Sequence, residues 1–132
     1  MSAVLDTHTA IWYFHRSKEL SPSALQTVRQ ALENGRPLFI SAISLIETIY
    51  LVERGRLPIE ALRRLESGTK PSSAGLIVQP VDEAVAEAVY KVPRNVVPDM
   101  PDRIIAATVL HLGLPLVTRD RRLQNSGIKT IW

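Results

Sequence analysis

Four carboxylates of this sequence could do chemistry together: Asp6, Glu47, Asp102 and Asp120. Carboxylates that converge on one pocket raise one another's pKa unless a cation neutralises their charge. All-oxygen ligands suit Mg²⁺ or Mn²⁺, and Mg²⁺ keeps several of its waters, so a few carboxylates are enough to bind it. If the fold brings these four side chains together, we therefore expect a divalent metal site.

Glu47 is the most informative of the four because its surroundings are apolar. Residues 44–52 carry apolar side chains nearly all the way round, which predicts a mostly buried helix. A carboxylate there needs a partner, either a ligand or a structural ion pair; alternatively, Glu47, Arg54 and Tyr50 form a solvent-exposed stripe. The helix alone leaves these alternatives open, and the presence of the other acids favours a functional site.

The other three acids also have structural explanations. Asp6 lies where a strand leads into a helix, and Asp102 follows a proline at the start of another helix, so either could be an N-cap. Asp120 lies among arginines, in a polar loop whose charges are locally balanced. The pattern around each acid, taken alone, does not separate a structural role from catalysis.

Two further acids are left outside the predicted site. Asp82 precedes a helix, and Glu83 beside it completes a first-turn acidic pair that the helix dipole explains. Asp99 lies close enough to Asp102 to share its role, but its place in a proline-rich bend is explained by turn formation.

Strands and helices are predicted to alternate along the chain. Short apolar runs predict strands at residues 3–5, 38–40, 76–78, 116–118 and 128–131. Helical patterns predict helices that include residues 10–14, 22–32, 43–54, 58–66, 84–90 and 102–112, with a connecting loop at residues 69–75. This alternation predicts an α/β domain with a mainly parallel central sheet that helices cover on both faces.

The predicted sheet gives three of the acids a common edge. Ligands of open α/β folds gather at the carboxyl ends of the strands. Asp6 ends the first strand, Asp120 lies just past the fourth, and Asp102 begins a helix that should start near the same edge. The hydroxyls of Thr7, Ser41 and Thr118 could orient these carboxylates or their waters.

Bulk composition fits one domain over residues 1–132 and excludes several classes of protein. The chain is 45% hydrophobic and 22% charged, as in ordinary globular proteins, and its net charge of +3 permits polyanion binding without demonstrating it. It contains no cysteine, which excludes disulfides, thiolate zinc sites and thiol nucleophiles. The sequence shows no secretory leader and no uncharged run of membrane-spanning length, so we expect a cytoplasmic protein without a membrane anchor.

Other catalytic patterns find little support. The three histidines are not paired at a metal-binding helical spacing, and there is neither a nucleophile elbow nor a glycine-rich phosphate loop. The segment after Asp6 lacks the second aspartate, two positions on, that would suggest an aspartyl-phosphate phosphatase.

Four segments together resemble a PIN-domain ribonuclease, and most closely the VapC-type toxins of bacterial and archaeal toxin–antitoxin pairs. The resemblance covers nearly the whole chain. The segments that carry it are Leu5-Asp6-Thr7-His8 with Ile11-Trp12, Ser41-Ala42-Ile43-Ser44-Leu45-Ile46-Glu47, Pro101-Asp102-Arg103-Ile104-Ile105-Ala106-Ala107-Thr108, and Leu116-Val117-Thr118-Arg119-Asp120. By this resemblance, the fold is a PIN-like three-layer sandwich, the four family acids fall on the four carboxylates named first, and Thr118 matches the small polar residue before the last acid.

The resemblance implies a Mg²⁺- or Mn²⁺-dependent endoribonuclease, a homodimer, and an antitoxin whose peptide covers the acidic groove. We expect Asp6 and Asp102 to bind the metal directly, with Glu47 and Asp120 acting through water or as general base. A non-catalytic RNA- or protein-binding module and a small-molecule phosphohydrolase are the alternatives. Trp12 is expected to pack in the core, and basic residues that could contact an RNA backbone are Arg16, Lys18, Arg54, Arg119, Arg121 and Arg122.

Overall fold

The computed structural model describes residues 1–71 and 75–132. Its strands are β1 (Ala3–Leu5), β2 (Leu38–Ser41), β3 (Leu76–Gln79), β4 (Leu116–Val117) and β5 (Thr130–Ile131). Its helices are α1 (Thr7–Phe14), α2 (Pro22–Glu33), α3 (Ala42–Glu53), α4 (Ile59–Gly68), α5 (Glu83–Ala88), α6 (Met100–Leu112) and α7 (Arg121–Gln124), and a 3₁₀ turn at Val89–Lys91 follows α5. The loop predicted at residues 69–75 includes residues 72–74, which lie outside the described residues.

The five strands of the described chain form one sheet, parallel throughout, in the order β3-β2-β1-β4-β5. Leu5 of β1 lies opposite Ile40 of β2 on one side and Val117 of β4 on the other. After β3 the chain crosses back to the far side of β1, so the strand order reverses between β1 and β4. Such a reversal leaves a crevice at the carboxyl ends of the two strands. The predicted α/β fold class is confirmed.

Helices cover both faces of this sheet. Successive residues of a strand point to opposite faces. Ala3 and Leu5 therefore join one core with buried side chains of α1, α2 and α4, while Val4 joins a second core with buried side chains of α5 and α6. Within the described ranges, no helix combines the length and the apolar character needed to cross a bilayer.

Capping residues set the starts of the helices. Ser21 Oγ accepts a hydrogen bond from the Ala24 amide at 3.0 Å, which confirms the predicted start of α2. The predicted start of α6 at Asp102 is wrong. That helix begins at Met100, and its N-cap is Asp99, which accepts a hydrogen bond from the Asp102 amide at 3.4 Å. A proline fits position 101 because amides of the first helical turn have no intrahelical partner.

Helix α3 is not the mostly buried helix that its composition predicts. Its buried residues are Ser44 and Thr48, whereas Ile46, Ile49 and Tyr50 are 50%, 40% and 53% exposed. The buried hydroxyl of Thr48 is satisfied locally, since it donates to the Ser44 carbonyl at 2.7 Å. The polar side chains of this helix thus face inward and an apolar surface faces outward, which is typical of an interaction site.

Leu38→Ala tests the core beneath β2. Leu38 is fully buried at the amino end of the strand, away from the carboxyl edge, so its truncation should leave a cavity and lower the free energy of unfolding by about 2–5 kcal/mol. The matched control Leu110→Ala, at a residue 42% exposed on α6, should stay within about 0.5 kcal/mol of the parent. Urea unfolding of both variants measures the difference, and equal losses would contradict the packing described.

Candidate active site

An acidic cavity of about 450 Å³ opens at the carboxyl edge of the sheet. Its lining contains all four acids singled out from the sequence and a fifth, Asp99. The lining residues are Asp6, Thr7, His8, Trp12, Glu47, Asp99, Asp102, Arg119 and Asp120. The structure thus brings the predicted acids together, and the chemical role of each one stays a prediction.

Asp6 occupies the crevice between β1 and β4. It is only 8% exposed, and Oδ1 accepts a hydrogen bond from the Thr9 amide at 2.9 Å, which caps α1. Oδ2 accepts a hydrogen bond from the hydroxyl of Thr118, the residue after β4. Each carboxylate oxygen has a second lone-pair position, so Asp6 can cap a helix and still bind a cation.

Asp120 is held by the same hydroxyl from the other side. Its amide donates to Thr118 Oγ1 at 3.0 Å, while its Oδ1 accepts from the amides of Arg122 at 2.8 Å and Leu123 at 3.3 Å. The polar loop expected around Asp120 is in fact the start of a short helix, α7, with Asp120 as its N-cap. Thr118 therefore fixes the positions of two of the acids at once.

The partner of Glu47 is a hydroxyl group, and not the basic side chain that a structural ion pair would need. Thr7 Oγ1 donates to Glu47 Oε1 at 2.5 Å and lies 2.9 Å from Ser44 Oγ, so the start of α1 is tied to α3. Burial raises the pKa of Glu47, against the effect of the Thr7 hydrogen bond, and the charge of Asp99 adds to the increase. The Glu47 carboxylate is therefore oriented but incompletely neutralised.

Asp102 has the most perturbed acid–base behaviour in the cavity. Burial first, and then the charges of Asp120, Asp99, Glu47 and Asp6, raise its pKa from the ordinary 3.8 to about 7. Asp102 lies in the first turn of α6 but does not cap it, because Asp99 does. At neutral pH this carboxyl is therefore poised between its protonated and charged forms.

The carboxylate oxygens of the cavity suit a hard divalent cation, although they do not surround one ion completely. Within the described ranges, no three His, Asp or Glu side chains are arranged to hold one ion directly. Mg²⁺ retains several waters and needs only one or two carboxylates, so the remaining acids can act through those waters. The fit rests on chemistry: five carboxylates line one cavity, and their charges raise the pKa of Asp102.

Two of the three hydroxyl residues named from the sequence, Ser41 and Thr118, do not line the cavity, although Thr118 forms hydrogen bonds with Asp6 and Asp120. Ser41 is buried, and its Oγ accepts a hydrogen bond from the Ile43 amide at 3.2 Å, so it caps α3 instead.

The lining also includes His8 and Asp99, which sequence reasoning left outside the site, and Arg119, which it named only as a candidate contact for an RNA backbone. Trp12, expected in the core, packs against it with part of its ring but also lines the cavity.

Their positions in sequence carry a signal that could have found them. His8 and Trp12 are four residues apart on the helix that Asp6 caps, so they share the helix face nearest the acids. Arg119 stands between Thr118 and Asp120, two residues that meet at the crevice.

Comparisons with known proteins give a consistent result. The model of a family described as PIN domain matches residues 3–128. The chain is 32% identical over 124 residues to Ribonuclease VapC22 of Mycobacterium tuberculosis, an alignment that covers 94% of this chain and 91% of that protein.

Solved structures with the same fold include a VapBC2 complex from Rickettsia felis bound to a promoter DNA fragment, with a TM-score of 0.73 and 15% identity. They also include DNA-bound VapBC from Salmonella typhimurium, with a TM-score of 0.70 and 22% identity. Each match covers 98% of this chain and 97% of the solved chain. At these identities the structural matches establish the fold alone.

Asp102→Asn tests the electrostatics of the cavity. Because the pKa of Asp102 is raised in the folded state, its contribution to stability is full below pH 4 and is lost as the pH rises through about 7. In EDTA, the variant should therefore melt at a higher temperature than the parent at pH 8, with a smaller difference at pH 4. Thermal unfolding across this range measures the effect. A difference that stays constant with pH would mean that Asp102 ionises as an exposed aspartate does.

Proposed function

The chain belongs to the PIN domain family, and from that premise we propose that it is a divalent-metal-dependent endoribonuclease, the toxin of a toxin–antitoxin pair. Residues 1–132 form its single nuclease domain. It hydrolyses RNA phosphodiester bonds in the acidic cavity, where the catalytic and metal-binding residues are Asp6, Glu47, Asp102 and Asp120.

The observation that carries this proposal is the concentration of acids in one cavity. A structural network would pair such acids with lysines or arginines, but the lining contains five carboxylates and only one such residue among those that the structure describes, Arg119. Groups with strongly raised pKa in a cleft are concentrated at functional sites, and Asp102 is such a group. The repulsion between these carboxylates destabilises the folded protein, and a bound cation would relieve it.

The residues divide the chemical work. Asp6 and Asp102 are the proposed direct ligands of Mg²⁺ or Mn²⁺, which when bound supplies positive charge to the phosphodiester and makes water more acidic. Thr118 holds Asp6 in place, and Thr7 holds Oε1 of Glu47, which leaves Oε2 to accept a proton from the attacking water. Asp120, fixed through its backbone amide, acts through water.

Two observations favour a second candidate, a non-catalytic RNA- or protein-binding module on the same fold. Three acids of the cavity cap helices, namely Asp6, Asp99 and Asp120, and the described residues contain no ready set of three ligands for one ion. A binding module would show salt-sensitive RNA binding without metal-dependent cleavage of any RNA in a total cellular extract.

Cleavage of a total RNA extract tests the nuclease directly. Asp6→Asn and Asp102→Asn should each lower the rate by at least about 10²-fold, more than the usual loss for a residue that only supports a metal ligand, because each removes a charge that the cation needs. EDTA should abolish cleavage by the parent protein, and Mg²⁺ or Mn²⁺ should restore it.

Asp82→Asn serves as the matched control for these two variants. Asp82 is an exposed helix cap outside the cavity lining, so its loss should affect stability and leave the rate unchanged. If both cavity variants cut RNA as fast as the parent, the nuclease proposal is wrong. Turnover of a phosphomonoester with indifference to RNA would indicate a phosphohydrolase instead.

The toxin role adds two partners to the proposal. The 32% identity to a ribonuclease of the VapC type supports it, as does the toxin–antitoxin character of proteins that share the fold. An antitoxin peptide that covers the acidic cavity should carry a basic side chain, because opposite charge is what five carboxylates select. A second copy of the chain is the other proposed partner.

We place the homodimer contact on the outward face of α3. That face exposes Ile46, Ile49 and Tyr50, and an exposed apolar surface of this kind suits association between copies. Ile49→Glu should therefore shift the protein from dimer to monomer in sedimentation at micromolar concentration, because the interface would bury an unpaired charge. Val81→Glu, which alters an isolated residue that is 42% exposed, should leave the dimer intact. Unchanged dimers in both variants would exclude this face.

A further inference from the structure

Three planar side chains meet at the wall of the acidic cavity. The guanidinium carbon of Arg119 lies 4.5 Å from the ring centroid of Trp12, and the ring of His8 lies 5.5 Å from it on centroids. All three residues line the cavity, so they share it with the five carboxylates. We refer to His8, Trp12 and Arg119 as the planar cluster.

Arg119 forms an exposed ion pair with Glu19 that an anionic ligand could replace. Its Nη1 donates to Glu19 Oε2 at 2.9 Å, but the two side chains are 54% and 55% exposed, so this ion pair contributes little to stability. Stacking on Trp12 uses the face of the guanidinium and not its N–H edge, so an anion can bind that edge in place of Glu19. A phosphate can therefore replace Glu19 at small cost.

The remaining basic candidates do not share this placement. Arg54 lies over Tyr50 at 5.7 Å, in a groove along α3, and Arg121 and Arg122 are exposed residues of α7. Among the residues that the structure describes, Arg119 is the one lysine or arginine in the lining of the acidic cavity. A polyanion that enters this cavity meets its first fixed positive charge there.

We propose that the planar cluster is a nucleotide subsite for single-stranded RNA, in which Arg119 binds a backbone phosphate and the adjoining base stacks on His8 and Trp12. This inference rests on the proposed ribonuclease function and deepens it by naming the residues that hold the strand. Aromatic rings and guanidinium planes take unstacked bases, which only a single strand can present. The subsite therefore selects single-stranded over duplex RNA and tolerates any base.

RNA binding tests the phosphate half of the subsite without cleavage. In an Asp102→Asn background with Mg²⁺, Arg119→Ala should weaken binding of a mixed-sequence single-stranded oligonucleotide roughly tenfold, the loss expected for a charge-assisted contact. The negative slope of log affinity against log salt should become shallower by about 0.7, as expected when one phosphate contact on a single strand is lost. Arg119→Lys keeps the charge and loses the planar fork, so it should retain the slope while binding more weakly than the parent.

Arg36→Ala is the matched control for charge. Arg36 is exposed and precedes β2, at the edge of the sheet opposite the cavity, so its loss changes net charge equally without touching the subsite. Affinity and salt slope should both match the parent. If Arg119→Ala behaves like Arg36→Ala in both measurements, the subsite is wrong.

Fluorescence tests the stacking half. Trp12 and Trp132 are the only tryptophans, so in Trp132→Phe protein the emission reports Trp12 alone. Single-stranded RNA should quench this emission and the same sequence as a duplex should not; equal responses, or none, would overturn stacking on Trp12.

Different results would contradict the nuclease proposal and the subsite proposal. Cleavage that persists with parental KM in both Arg119→Ala and Trp12→Leu, which removes the ring but keeps apolar bulk against the core, overturns the subsite and leaves the nuclease standing. Trp12 quenching and Arg119-dependent binding in a protein that never cuts RNA support the subsite and overturn the nuclease.

Discussion

The site depends on one hydrogen bond that crosses the sheet at its reversal of strand order, from the Thr118 hydroxyl to Asp6. β1 and β4 are neighbours in the sheet but 112 positions apart in the chain at this contact. Backbone and side-chain bonds to the Val117 carbonyl, from the Asp6 amide and the Thr9 hydroxyl, reinforce it. Because the same threonine oxygen also accepts a hydrogen bond from the Asp120 amide, the crevice holds two acids in fixed positions.

The five acids of the cavity lie in two kinds of environment. Asp6, Asp99 and Asp120 cap α1, α6 and α7, where backbone amides and the positive end of each helix stabilise a carboxylate. Glu47 and Asp102 cap no helix, and burial raises the pKa of both. A structural role and a chemical role are therefore compatible in the capping acids, while the uncapped pair responds most directly to pH and to a bound cation.

The surface of α3 follows from the same constraint. Thr7 must reach Glu47, which draws Ser44 and Thr48 inward and turns Ile46 and Ile49 outward. The orientation that builds the site thus leaves an apolar face unburied within the described chain. The rotation of α3 therefore sets both the position of Glu47 in the cavity and the apolar face that the helix exposes.

Sequence alone determined the fold class and the order of the strands and of every helix except α7, because alternating short apolar runs and helical patterns are local properties. The same patterns placed Asp6, Asp102 and Asp120 at one edge of the sheet, and the family resemblance added Glu47. Sequence could not decide which acid caps α6, since Asp99 and Asp102 both precede helical residues and only the backbone path separates them. It also predicted a mostly buried α3, because composition fixes how apolar a helix is and not which face its neighbours cover. Trp12 packs against the core as expected, but the sequence did not show that its ring also lines the cavity. The folded backbone and its packing decided these features, and they placed Arg119 on Trp12, a contact between residues more than 100 positions apart.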